Sequence, residues 1–150
     1  MKNEDSSEKA VAYFQKGYNC AQSVLLAMTE HWHEKNGLIP KIGTAFGSGI
    51  GRCGSVCGTL TGGIMALGIK FGTNEPSAEK RKKAYKLAQE FYKRFQKEHG
   101  TVLCHELIGY NLSNPEELAK AHETNVFEEK CTVFVRKAVE TLLELTENPH

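Results

Sequence analysis

No stretch of this sequence is apolar for long enough to cross a membrane. Its longest uncharged run, Cys53–Ile69, falls short of the roughly 20 apolar residues a spanning helix needs and is diluted by Gly, Ser and Thr. A charge surplus is lacking too: 19 Lys and Arg face 18 Asp and Glu, a formal +1, which argues against a surface built for nucleic acid and against a disordered acidic or basic chain. The opening MKNEDSSEKA has neither the basic start nor the apolar core of a secretory signal, so the expected location is the cytoplasm. Strand-type alternation of apolar and polar residues is not sustained anywhere. The glycine-rich GSGIGRCG is followed by no Lys-Ser or Lys-Thr pair and preceded by no strand, which removes phosphate loops and dinucleotide folds. No Ser, His and acid motif suggests a hydrolase.

What is present is helical periodicity over 150 residues, enough chain to bury about two thirds of its unfolded surface in one core. The prediction is an all-α, single-domain bundle of about six to seven helices spanning residues 1–150. A short helix over Ser6–Gln15 stops at Gly17. Asn19 caps a second helix through about His33. Pro40–Phe46 forms a short helix, and Ser55 caps a core helix ending near Gly72. Pro76 sits in the first turn of a long helix closed by Gly100, with Ala84, Ala88, Phe91 and Phe95 on its inner face. Thr101 caps a brief helix through Ile108, Asn114-Pro115-Glu116-Glu117 opens another, and a final helix spans Glu128–Thr146 with Cys131, Val135, Ala138, Leu142 and Leu145 inward. Lys80 to Glu98 holds eight basic and two acidic residues, whereas His105 to His150 holds four and nine; both read as solvated helix faces. Gly54, Gly58 and Gly62 recur every fourth residue, a bare ridge that admits a close helix neighbour or a second copy of the chain.

Five cysteines, at 20, 53, 57, 104 and 131, are an odd number, unsuited to a purely structural disulfide set. Their intervals contain no pair of CxxC knuckles of the zinc type. If Cys53 and Cys57 both lay in regular helix, their Cβ atoms would be about 5–6 Å apart, too far for an unstrained disulfide. Cys20, Cys57, Cys104 and Cys131 fall near predicted helix starts, where the positive end of the dipole and unpaired amides favour thiolate over thiol. A lowered pKa is the expectation for each. Packing as a small hydrophobe is the alternative for each taken singly. His105, next to Cys104, points about 100° away from it and is a poor base for that sulfur.

Cys20, then Cys57-Gly58-Thr59-Leu60-Thr61-Gly62, then Cys104 and Cys131, resemble the redox-active family named for its pattern C_GCAxxG_C_C, with Thr59 where the CGAxxG motif has Ala. The resemblance runs from Cys20 to Cys131, leaves Cys53 outside the four, and implies thiol chemistry without specifying a reaction. The favoured reading is that Cys20, Cys57, Cys104 and Cys131 converge and cycle between thiol and disulfide, with Cys57 the readiest nucleophile, Cys53 a resolving or relay thiol, and a redox protein or small thiol as partner. Two alternatives stand beside it. The same four sulfurs could ligate zinc or an iron–sulfur cluster, or the chain could be an interaction domain that dimerises through the glycine ridge.

Overall fold

The computed structural model describes residues 2–147. Its helices begin where short polar side chains satisfy the first free amides. Helix α1 spans Lys2–Lys16. Helix α2 spans Cys20–His31: the Asn19 side chain accepts from the Gln22 N–H at 2.9 Å, and the Gln22 side chain accepts from the Asn19 N–H at 3.2 Å. A 3₁₀ turn over Lys41–Phe46 leads into a short helical turn, α3 (Gly47–Ile50). The apolar core helix α4 covers Gly58–Phe71, the basic helix α5 covers Lys82–His99, and α6 is the short Cys104–Ile108. Helix α7 is Pro115–Glu123, with Asn114 accepting from the N–H groups of Glu116 and Glu117 and Pro115 in the first turn. A π-helical turn over Phe127–Cys131 runs into α8, Thr132–Glu147. Among the described residues the architecture is all-α with eight α-helices and no strand beyond one isolated antiparallel bridge, Val56–Leu103. No described helix is long and apolar enough to cross a membrane.

Helices α2 and α4 form the closest pair, and α8 packs across α1, α2, α4 and α5. Glycine makes the first contact possible. A Cβ added at Gly62 would lie 2.3 Å from the Ala21 carbonyl oxygen, and one at Gly63 would lie 2.6 Å from the Phe91 ring. The core between these helices contains Val24, Leu25, Met28, Leu60, Leu67, Phe91, Val135, Val139, Leu142 and Leu143, all fully or almost fully buried. At about 1.5–3 kcal/mol for each large apolar side chain taken from water, this cluster is the main stabiliser of the bundle.

Several predicted boundaries move. The core helix starts at Gly58 with Cys57, not Ser55, at its cap. Gly54 therefore lies outside α4, in the left-handed region at φ +71°, and the ridge shortens to Gly58 and Gly62, which face α2 within the chain. Helix α5 starts at Lys82, six residues beyond Pro76, and adds Leu87 to the buried stripe of Phe91 and Phe95. Thr101 accepts from the Leu103 N–H at 3.1 Å, but Leu103 occupies the cap of α6.

The segment entering α4 has an unusual backbone. Ser48, Gly49, Ile50, Gly51 and Arg52 all have φ between +54° and +71°, a left-handed turn that costs ordinary L residues about 1–2 kcal/mol each. It is held by hydrogen bonds from the Ser55 N–H to the Gly49 carbonyl (2.9 Å) and from the Gly51 N–H to the Gly47 carbonyl (3.0 Å). Past Gly54 the chain extends beside residues 102–105: the Cys57 N–H donates to Val102 at 2.8 Å, the Cys104 N–H to Ser55 at 2.7 Å, and the His105 N–H to Gly54 at 3.2 Å.

Candidate functional site

Those hydrogen bonds fix Cys57 and Cys104 on facing segments, and α2 and the π-helical turn bring in the remaining sulfurs. Cys20, Cys57, Cys104 and Cys131 line one cavity of about 60 Å³. Phe14, Leu107, Ile108, Leu112, Phe127 and Phe134 make its apolar wall, and Asn19, Ser48 and Thr59 add polar atoms. Cys57 and Cys104 are buried, Cys20 and Cys131 are half-buried, and all four are free thiols. Cys53 does not line the cavity; it is exposed on the loop before Gly54.

The surroundings of Cys20 differ from those of the other three. The backbone amides of Ser48, Ala21, Cys20 itself and Gly58 favour its thiolate. Two come from the first turn of α2 and one from the first residue of α4, so two helix N-termini meet at one atom. Gly58 is required for the fit, since a Cβ there would stand 2.4 Å from the Cys20 sulfur. The left-handed turn that carries Ser48 also packs tightly on the site, since a Cβ on neighbouring Gly49 would meet the Cys104 Cβ at 2.7 Å.

The expected lowering of the thiol pKa values does not occur. Burial raises Cys20 above the ordinary thiol value of 9.0, although its four amides pull the other way. Cys57 is pushed up to about 12, first by burial and then by charge on Cys20, against a hydrogen bond to the Thr59 hydroxyl. Cys104 rises to about 12 through burial and Cys20. Cys131 rises through burial, the other three sulfurs and Glu128. In each case desolvation of a thiolate in an apolar cavity outweighs the half-charge at a helix end. Charge on Cys20 raises each of the other three, so the four thiols titrate as one coupled group.

Sequence reasoning named the four sulfurs but missed much of their setting. Thr59, noted only as a departure from the motif's Ala, places its hydroxyl 3.2 Å from the Cys57 sulfur. Ser48 acts through its backbone, which no side-chain motif reveals. The aromatic wall is drawn from three separate elements. His105 is exposed and away from the cavity, as its helical position predicts. As for the ligand alternative, no group of three or more His, Cys, Asp or Glu among the described residues is arranged to hold a metal ion.

The family model described as "Putative redox-active protein (C_GCAxxG_C_C)" matches residues 18–145. No match was found among curated proteins or among solved structures. The matched span takes in all four cavity cysteines, helices α2 to α7 and α8 up to residue 145, and its description ties the chain to redox chemistry in general. By this match over most of its length, the chain belongs to the C_GCAxxG_C_C family.

Proposed function

We propose that the protein is a dithiol–disulfide redox protein in which Cys20, rather than Cys57, is the attacking thiol. The observation that carries this reading is that four free thiols line one cavity, with the Cys20 sulfur seated against the first residue of α4. Amide donors stabilise the thiolate that must form before a thiol reacts, and the enclosed thiols provide a resolving partner without a search. Cys57 is the preferred partner, because the next residue, Gly58, packs against the Cys20 sulfur and its own hydroxyl contact, Thr59, borders the same cavity. Oxidation of the pair releases two electrons and two protons and forms one S–S bond.

Cys53 provides the way back to the surface. It is exposed and separated from Cys57 by Gly54, Ser55 and Val56. Without a reductant the Cys20–Cys57 bond is the resting oxidised form; when an external dithiol protein or small thiol is present, the Cys53 thiolate attacks the Cys57 sulfur and frees Cys20, and the Cys53–Cys57 disulfide is reduced as it forms. A reducing compartment such as the cytoplasm suits five free thiols.

The test begins with reduced, folded protein treated with one equivalent of mild oxidant, quenched in acid, denatured and alkylated. The expected result is a fall from five titratable thiols to three, with Cys20 in the crosslinked peptide. A count that stays at five, or a loss confined to Cys53, overturns the reading.

A further inference from the structure

Resting on the dithiol reading above, we propose that the oxidant reaching Cys20 is a small neutral hydroperoxide of the size of hydrogen peroxide, and not a glutathione or protein disulfide. The first support is volume. The cavity holds about 60 Å³, whereas sites for drug-sized ligands run from about 300 to 1,000 Å³. A molecule of a few heavy atoms fits; a tripeptide disulfide does not. The second is charge. Among the described residues no Lys, Arg, His, Asp or Glu lines the cavity, so a glutathione carboxylate or ammonium group entering it would lose water without gaining a partner. The third is the placement of donors. Ser48 and Thr59 line the cavity with the sulfurs, and the Thr59 hydroxyl stands 3.2 Å from the Cys57 sulfur. These few polar atoms give a hydroperoxide oxygen hydrogen-bond partners beside the thiols.

The chemistry balances with hydrogen peroxide as the only oxidant. The Cys20 thiolate attacks one peroxide oxygen, the S–O bond forms and the O–O bond breaks. The departing hydroxide takes the proton of the Cys57 thiol, which burial keeps neutral, and leaves as water. The new Cys57 thiolate attacks the sulfenic sulfur of Cys20 and forms the S–S bond; the expelled hydroxide combines with the proton released when Cys20 ionised. Two thiols are oxidised to one disulfide and one peroxide is reduced to two waters.

The test compares hydrogen peroxide, cumene hydroperoxide and glutathione disulfide on the reduced full chain. Formation of the Cys20 crosslink is followed by peptide mapping, so that reaction at exposed Cys53 is scored separately. Each rate constant is divided by that of free cysteine with the same reagent. The expected ratio for hydrogen peroxide exceeds that for either bulky reagent by at least tenfold, and Phe127→Ala, which opens the half-buried side of the wall, raises the cumene hydroperoxide ratio several-fold. Phe127→Leu serves the same purpose if the alanine variant fails to fold. Equal ratios for the three reagents, or a selectivity unmoved by widening the wall, overturns the small-peroxide assignment and leaves the dithiol reading intact. Failure of every oxidant to crosslink Cys20 overturns both.

Discussion

Replacing Gly58 by Ala tests the geometry on which the site depends, because the new methyl would stand 2.4 Å from the Cys20 sulfur and 3.1 Å from both the Ala21 nitrogen and the Phe46 carbonyl oxygen. Ordinary van der Waals contact at such a position begins near 3.4 Å, so the sulfur must swing off its amides or α4 must move away from α2. Overpacking of this kind costs about 1–3 kcal/mol. Part of that is offset by the better helix propensity of Ala, worth up to about 1 kcal/mol in a helix interior and less at its first residue. The net expectation is a loss of about 1–2 kcal/mol, or roughly 2–8 °C in melting temperature for a domain of this size. Gly68→Ala is the matched control. The same helix leaves that position exposed with nothing within 4 Å of a new Cβ, so the substitution should stabilise by about 0.5–1 kcal/mol. Thermal unfolding followed by far-ultraviolet circular dichroism reads both, and the yield of Cys20 crosslink after mild oxidant reads the site. If Gly58→Ala melts at or above the parent temperature with its crosslink yield unchanged, the account of Cys20 seated against the start of α4 is wrong.

Three further outcomes are expected. Cys57 and Cys104, whose folded values of about 12 lie above the ordinary 9.0, contribute stability that is complete below pH 9 and is lost as the pH climbs through the folded values. Each approaches a slope of about 1.4 kcal/mol per pH unit between those limits; urea unfolding from pH 8 to 10.5 should show a shallower alkaline decline in Cys104→Ala, and equal declines would refute the burial of that thiol. Iodoacetamide at pH 7.5 should label Cys53 first and the four cavity thiols far more slowly, a pattern checked by intact mass and peptide mapping and contradicted by rapid labelling of a second site. A Cys20–Cys57 crosslink closes a long loop in the unfolded chain and should stabilise by up to about 4 kcal/mol; an oxidised sample with the bond verified but an unchanged melting temperature would count against native geometry that accommodates it.

The features legible in the sequence are those set by a few adjacent residues. Asn19 and Asn114 mark helix starts because a short side-chain oxygen reaches an amide two or three residues on. Gly100 ends α5 because its backbone turns left-handed at φ +86°. The four cavity cysteines were legible as a set through the family pattern. Their protonation was not, because the helix-start argument is local whereas desolvation is imposed by Phe14, Leu112 and Phe134, which are remote in sequence from most of the sulfurs they enclose. The start of α4 was misplaced for a similar reason: Ser55 is a good cap by residue type, but its carbonyl is engaged by the Cys104 N–H and its N–H by Gly49, so the chain stays extended until Cys57. Cys131 was assigned to the beginning of an ordinary helix, whereas it closes a π-helical turn over Phe127–Cys131 that carries no sequence motif of its own.

The run from Ser48 to Arg52 is wound in the mirror sense of every other helical turn around it, yet three of its members, Ser48, Ile50 and Arg52, are not glycine. Ribosomal synthesis offers only the enantiomer that this path disfavours. A chain assembled by chemical ligation with D-isoleucine at position 50, where the side chain is 44% exposed, would place its Cβ on the unstrained side and should resist heat better than the all-L protein.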